Sequence, residues 1–289
     1  MPDHPPEDPG AAPTTELVPA AARTEVQGLA GDGLPGLEPE RDVTDWGRSA
    51  RVSAVVDASL IDFLYHYWFR VEAEGLDNVP ARGGALLIAN RAGALRLDAP
   101  MIMRAVREEH GAARAVHVAA PSSAVSRPGI GMLATKLGAV SAHPANLHRL
   151  LLDEEQLVLA FPEASAPGVK PLRSRYRLRP FDALPFVEIA IRAGAPIVPV
   201  ALVGSEEATP ALGSLLPIGP LRARTRLSAG LPLPAKFRLR FLQPVRTDEI
   251  DKAPSTDRGR PAELVTEIRG LIQENLLEMV AERRSVWLG

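Results

Sequence analysis

The sequence predicts a single α/β domain, a mostly parallel twisted sheet flanked by helices. Three observations carry this. Six short β-rich runs recur between residues 69 and 242, stretches with apolar residues three and four apart lie between them, and most of the runs are near-continuously apolar instead of alternating. Strands apolar on both faces belong to sheets covered on both faces. Such sheets are parallel, because the crossovers that join neighbouring strands are the covering helices.

Taken in order, residues 1–45 are expected to stand outside this domain as a disordered, acidic, Pro-rich tail. Residues 1–40 hold eight acids against the single base Arg23, with eight prolines and no aromatic residue. That is too little apolar surface to offset the entropy of ordering them. From about Trp46, Val52, Val56, Leu60, Phe63, Leu64 and Tyr67 recur at helical spacing, the stripe of an amphipathic helix. It ends in "FLYHYWF", which gathers Tyr65, Tyr67, Trp68 and Phe69 in a chain with 4% aromatics. Such a cluster suits a core, and beside a basic body it also suits a lipid interface.

The strand candidates follow: "FRVEAEG" (69–75), "ALLIA" (85–89), "AVHVAA" (115–120), "LVLAF" (157–161), "PIVPVALVG" (196–204) and "FRLRFL" (237–242). Helical patterns lie between them at about 98–109, 129–137, 145–153 and 183–193. Residues 205–235, rich in Pro, Leu and Gly, read as a long irregular excursion. The last helix is "PAELVTEIRGLIQENLLEMVAERR". Pro261 suits its first position, and Leu264, Ile268, Ile272, Leu276 and Met279 form one apolar face.

Composition removes several function classes. The 289 residues contain no cysteine, so disulfides, thiolate metal sites and cysteine nucleophiles are excluded. No basic leader precedes an apolar run, and no run reaches the roughly 18 to 20 apolar residues of a bilayer span. The expected location is the cytoplasm, with peripheral contact at the inner face of the membrane left open. Setting the acidic tail aside leaves 27 acids and 32 bases in residues 41–289. A body of about +5 suits an anionic ligand or membrane surface and is too weakly charged to predict nucleic-acid binding.

Ligands of parallel α/β sheets collect at the carboxyl ends of strands. Two strand ends carry polar clusters. The first is "LLIANRAGALRLD", with Asn90, Arg91, Arg96 and Asp98. In the second, "LVLAFPEASAPGVKPLRSRYRLRPF", the strand ends in Phe161, Pro162 and Glu163, and Lys170, Arg173, Arg175, Arg177 and Arg179 follow. Five bases within ten residues can form a phosphate-binding wall, or equally a solvated loop.

The order of these blocks resembles the glycerolipid acyltransferase family, of the lysophosphatidic acid acyltransferase type. "VEAEGLDNVPARGGALLIAN", "KLGAVSAHPANLHRLLLDEEQLVLAFPEA" and "GAPIVPVALVGSEE" stand in that family's order, over roughly residues 69–245. The resemblance implies a glycerol-3-phosphate acyltransferase-like fold over residues 46–289. It also implies acyl transfer from acyl-CoA or acyl carrier protein to the hydroxyl of a lysophospholipid or a glycerol phosphate, with no metal or other cofactor. In that family a histidine takes the hydroxyl proton and an aspartate, four residues intervening, orients the imidazole.

Carried over, the family's Asn-His pair falls on Asn90 and Arg91. The aspartate falls on Asp98, with six residues between instead of four; strict spacing would reach Arg96. Phe161, Pro162 and Glu163 match the family's substrate-binding block, and Ala164 stands where it has glycine. Arg91 and Asp98 thus occupy the catalytic places. Asn90, Phe161, Pro162, Glu163, Lys170, Arg173 and Arg175 are the expected substrate-binding residues. The guanidinium pKa exceeds about 12, so the neutral form at pH 7 is about one molecule in 10⁵ or fewer. The expectation is therefore an acyltransferase impaired by loss of its base, or an inactive relative that binds anionic lipid or acyl-CoA. No other histidine reads as a substitute: His143 precedes a helix opened by Pro144 and reads as a cap, His117 as a satisfied strand residue, and His4, His66, His110 and His148 stand without a constellation.

Overall fold

The computed structural model describes residues 43–91, 97–163, 174–208, 232–247 and 259–287. The acidic tail lies outside the described residues. The described residues open at Val43, three residues ahead of Trp46, with a bridge from Val43 to Ser49.

The Ser49 hydroxyl accepts from the Val52 amide at 3.1 Å and starts helix α1 (Ala50–Val56). The helix runs on through wider π-type turns at Asp57–Ile61 and Leu64–Trp68. Those turns correct the expected stripe. Each i→i+5 turn adds about one residue to the usual 3.6, so the face slides along the sequence. Ser53, Ile61, Leu64, Tyr65 and Phe69 are buried, while Leu60, Phe63 and Tyr67 are exposed.

All six expected strands form: β1 (Glu72–Glu74), β2 (Ala85–Ala89), β3 (Val116–Ala120), β5 (Leu157–Ala160), β6 (Ile197–Val203) and β7 (Arg238–Phe241). A seventh, β4 (Ala139–Ser141), is not among the expected strands; it holds one buried apolar side chain, Val140, and two residues separate it from the helix before it. The helices between them are α2 (Asp98–Glu108), α3 (Ser122–Val125), α4 (Ile130–Lys136), α5 (Pro144–His148), α6 (Leu184–Ala193) and α7 (Ser205–Ala208). α5 continues as a π-type turn through Arg149–Asp153. Helix α8 (Gly259–Glu282) starts two residues before Pro261, which sits inside its first turn and not at its first position.

The sheet order is β1-β7-β6-β2-β5-β3-β4, parallel throughout except where β7 meets β6. The mostly parallel sheet of the sequence reading is the observed one. Alternate residues of β2 feed two layers. Leu86 and Ile88 face a cluster with Leu147, Val187, Ile191 and the α8 stripe; Leu87 and Ala89 face a second cluster with Ile61, Leu64, Met101 and Ile102. All five α8 stripe residues are at most 1% exposed, a gross burial term on the order of 10 kcal/mol at about 2 kcal/mol each. This clamps the outer helix onto the strands whose ends carry the polar residues.

Candidate active site

β2 lies between β5 and β6, and all three run parallel. Their carboxyl ends therefore bring Asn90, Phe161 to Glu163, and Gly204 to Glu207 to one edge, although more than forty residues separate each group from the next. At the middle of this edge Asn90 is 1% exposed and fully tied to β6. Its Nδ2 donates to the Leu202 carbonyl at 3.0 Å, and its Oδ1 accepts from the Leu202 amide at 2.8 Å. The side chain thereby imitates one more residue of backbone pairing just past the strand.

Glu163 is 4% exposed and links the two sequence blocks. Its Oε1 accepts from the Arg91 amide at 3.1 Å, and its Oε2 accepts from the Arg179 amide at 3.3 Å. A backbone bridge from Glu163 to Phe181 continues the link. One carboxylate thus fixes the backbone on which Arg91 stands and the backbone of the basic loop. The Arg91 guanidinium lies over the Phe161 ring, 5.6 Å from its centroid, a cation–π arrangement that holds the cation at the mouth of the edge. Pro162 is buried behind it.

Asp98 opens α2 and is 2% exposed. A carboxylate in the first turn is favoured by the positive end of the helix dipole. Of the basic run, Arg175 and Arg179 are half-buried and Arg177 is exposed. Lys170, Arg173, Arg96 and Ala164 lie outside the described residues.

A group that the sequence reading did not single out supports the basic loop from below. The Tyr176 amide donates to Glu206 Oε2 at 3.1 Å, and its hydroxyl bonds to the Glu207 carboxylate and accepts from the Gly204 amide at 3.1 Å. Arg283, the residue after α8, closes the network, with Nη2 at 2.7 Å from Glu207 Oε1 and side chains only 7% and 5% exposed. Burial and the Glu207 charge raise the Tyr176 pKa well above its ordinary value, so the phenol stays protonated and donates. Gly204 stands at φ +108°, and a Cβ there would lie 2.2 Å from the Lys236 carbonyl oxygen. Only glycine allows this turn. The available signal was "GSEE", two acids directly after an apolar strand.

Among the described residues no histidine joins this edge. His143 caps α5, its side chain accepting from the Ala145 amide at 3.3 Å, as its place before Pro144 predicts; it stands beyond β4, three strands from β2. His110 bonds to the Val79 carbonyl at 2.9 Å, and His66 to Glu108 at 3.2 Å. His117 in β3 departs from the expectation of a satisfied strand residue: it is buried and its Nδ1 has no hydrogen-bond partner. Burial, aided by Arg48, pulls its pKa down to about 4. It is neutral at pH 7. Among the described residues no three His, Asp or Glu side chains are grouped to hold a metal ion.

The profile of the Acyltransferase family matches residues 70–203, which takes in β1 through β6. An uncharacterized protein of Mycobacterium tuberculosis strain H37Rv is 33% identical over 96% of this chain and 80% of its own length. One of Mycobacterium leprae strain TN is 32% identical over 96% and 78%. Among solved structures, the 1-acyl-sn-glycerophosphate acyltransferase PlsC of Thermotoga maritima matches 72% of this chain and 71% of its own, at 19% identity and a TM-score of 0.49.

Proposed function

The chain belongs to the acyltransferase family, and from that premise we propose that its carboxyl edge binds an acyl donor and a phosphate-bearing acceptor, with acyl transfer impaired by the arginine at position 91. The donor is acyl-CoA or acyl carrier protein, and the acceptor a lysophospholipid or a glycerol phosphate. In the transfer, the acceptor hydroxyl oxygen forms a bond to the thioester carbonyl carbon, the carbon–sulfur bond breaks, and the hydroxyl proton must leave. A guanidinium already holds all its protons at pH 7 and cannot take that one.

The observation that carries the proposal is the placement of Arg91: at the end of β2, with its cation over Phe161 and its amide on Glu163. A cation there attracts a phosphate or a developing oxyanion. It can therefore favour binding while leaving the proton without an acceptor. Arg175, Arg177 and Arg179, with Lys170 and Arg173, would add charge for the phosphates. Peripheral membrane contact belongs to the same reading, supported by the exposed Leu60, Phe63 and Tyr67 of α1. Among the described residues no helix is long and apolar enough to cross a membrane.

The test is release of CoA from acyl-CoA in the presence of lysophosphatidate, followed with a thiol reagent, to which a chain without cysteine contributes no background. Arg91→His should raise the rate by about 10²- to 10⁴-fold, the usual contribution of a general base. A wild-type rate already in the range of about 1 to 10³ s⁻¹, or no gain from Arg91→His, overturns the reading.

A further inference from the structure

Away from the carboxyl edge, α1 and α2 lean over the first residues of β3 and enclose a cavity of about 50 Å³. A single water needs roughly 10 to 15 Å³ of such space, so there is room for a group with several heavy atoms. The lining holds four arginines, Arg48, Arg104, Arg107 and Arg114, against one acid, Asp57. Four guanidiniums around one small cavity repel one another unless negative charge stands between them.

The acids nearby do not divide evenly among them. Arg104 is met by Asp62 at 2.7 Å and by Glu108, and Arg107 by Asp57. Arg114 spends its hydrogen bonds on two neutral groups, the carbonyls of Pro80 and Glu155, with the Glu155 charge in electrostatic reach. Arg48 is the exposed weakness of the arrangement: its Nη1 is buried with no hydrogen-bond partner. The opposite charge that acts on it, Asp57, is already engaged by Arg107, which itself acts on Arg48 as a like charge. A buried guanidinium N–H without an acceptor is costly, and a doubly charged oxyanion would supply that acceptor.

We propose that this cavity is a second anion site, in which a phosphate group is held by Arg48 with Arg114 beside it. Ile61, Met103 and Val116 supply apolar walls, which exclude water and strengthen the ion pairs. Arg48 stands just before α1 and Arg114 just before β3, so an occupied site ties the start of the first helix to the start of that strand. It uses none of the residues at the carboxyl edge. The phosphate is either free or borne on a lipid headgroup, and α1 itself carries the exposed Leu60, Phe63 and Tyr67.

The test is the melting temperature of the full chain. One arm adds inorganic phosphate against chloride at equal ionic strength. The other adds phosphatidylcholine vesicles with and without phosphatidate. Inorganic phosphate at about 100 times its dissociation constant should raise Tm by about 5 °C or more. Arg48→Gln should abolish the rise, whereas Arg175→Gln should keep it, separating this site from the carboxyl edge. If Arg48→Gln does not fold, Arg114→Gln takes its place and should weaken binding at least tenfold. A rise confined to the phosphatidate arm, and lost in these variants, assigns the phosphate to a lipid. An equal rise in wild type and Arg48→Gln, or no rise in either arm, overturns the site.

Discussion

Glu163 shows why a correctly chosen residue can have an unexpected task. The strand-end position marks it as a ligand-binding acid, but its two oxygens are committed to the amides of Arg91 and Arg179, 72 and 16 residues away in the chain. Nothing local in the sequence announces such partners. Glu163→Ala leaves two amides without an acceptor and should lower unfolding stability by about 2 kcal/mol or more, measured in urea, with Glu163→Gln losing less. A loss within error would show that the amides find other acceptors. Asn90 is the same case in a neutral group, legible as a site residue and illegible as a strand extension. His117 gives a prediction in pH. Its folded pKa of about 4 lies below the unfolded value of about 6.5. The unfolded chain therefore binds the proton first as pH falls. Stability from this group is complete above about pH 6.5 and drops by about 3 kcal/mol by pH 4. His117→Leu should flatten that part of the profile, and an unchanged slope would assign the loss to other groups.

Among the elements, regularity separates what could be read from what could not. The α8 face is legible residue by residue because the helix keeps its 3.6-residue period for 24 residues. β2, β5 and β6 are legible because burial on both faces leaves them continuously apolar, and β7 because its basic and apolar residues alternate. The α1 face is misread because its π-type turns shift the period, and β4 is missed because it holds a single buried apolar side chain, Val140, with two residues separating it from the helix before it. The misreading matters for function. It moves Leu60, Phe63 and Tyr67 from an expected core to the surface, at 56%, 47% and 68% exposure. Replacing all three with serine should change unfolding stability by less than about 1 kcal/mol while reducing sedimentation with anionic vesicles by tenfold or more. Undiminished sedimentation would remove α1 from any membrane contact.

For the molecule as a whole, the last helix and the end of β6 are joined by the pair of Arg283 and Glu207, with Tyr176 between them and the basic loop. Arg283→Met strands a buried carboxylate and should cost about 3 to 5 kcal/mol; adding Glu207→Leu should recover part of that, both read from denaturant midpoints. A single-variant loss below about 1 kcal/mol would mean that water reaches Glu207. The sheet order carries a different consequence, one of time. Among the described residues β1 has β7 as its only strand neighbour, and the ion pair between them joins Glu74 to Arg240, 166 residues apart. At about 5 to 20 residues per second of synthesis, β1 waits on the order of ten seconds for its partner. Until β7 emerges, the wholly apolar β6 also presents an open edge. Any product that stops before residue 238 keeps that edge for good, so incomplete chains of this protein are the ones that should aggregate.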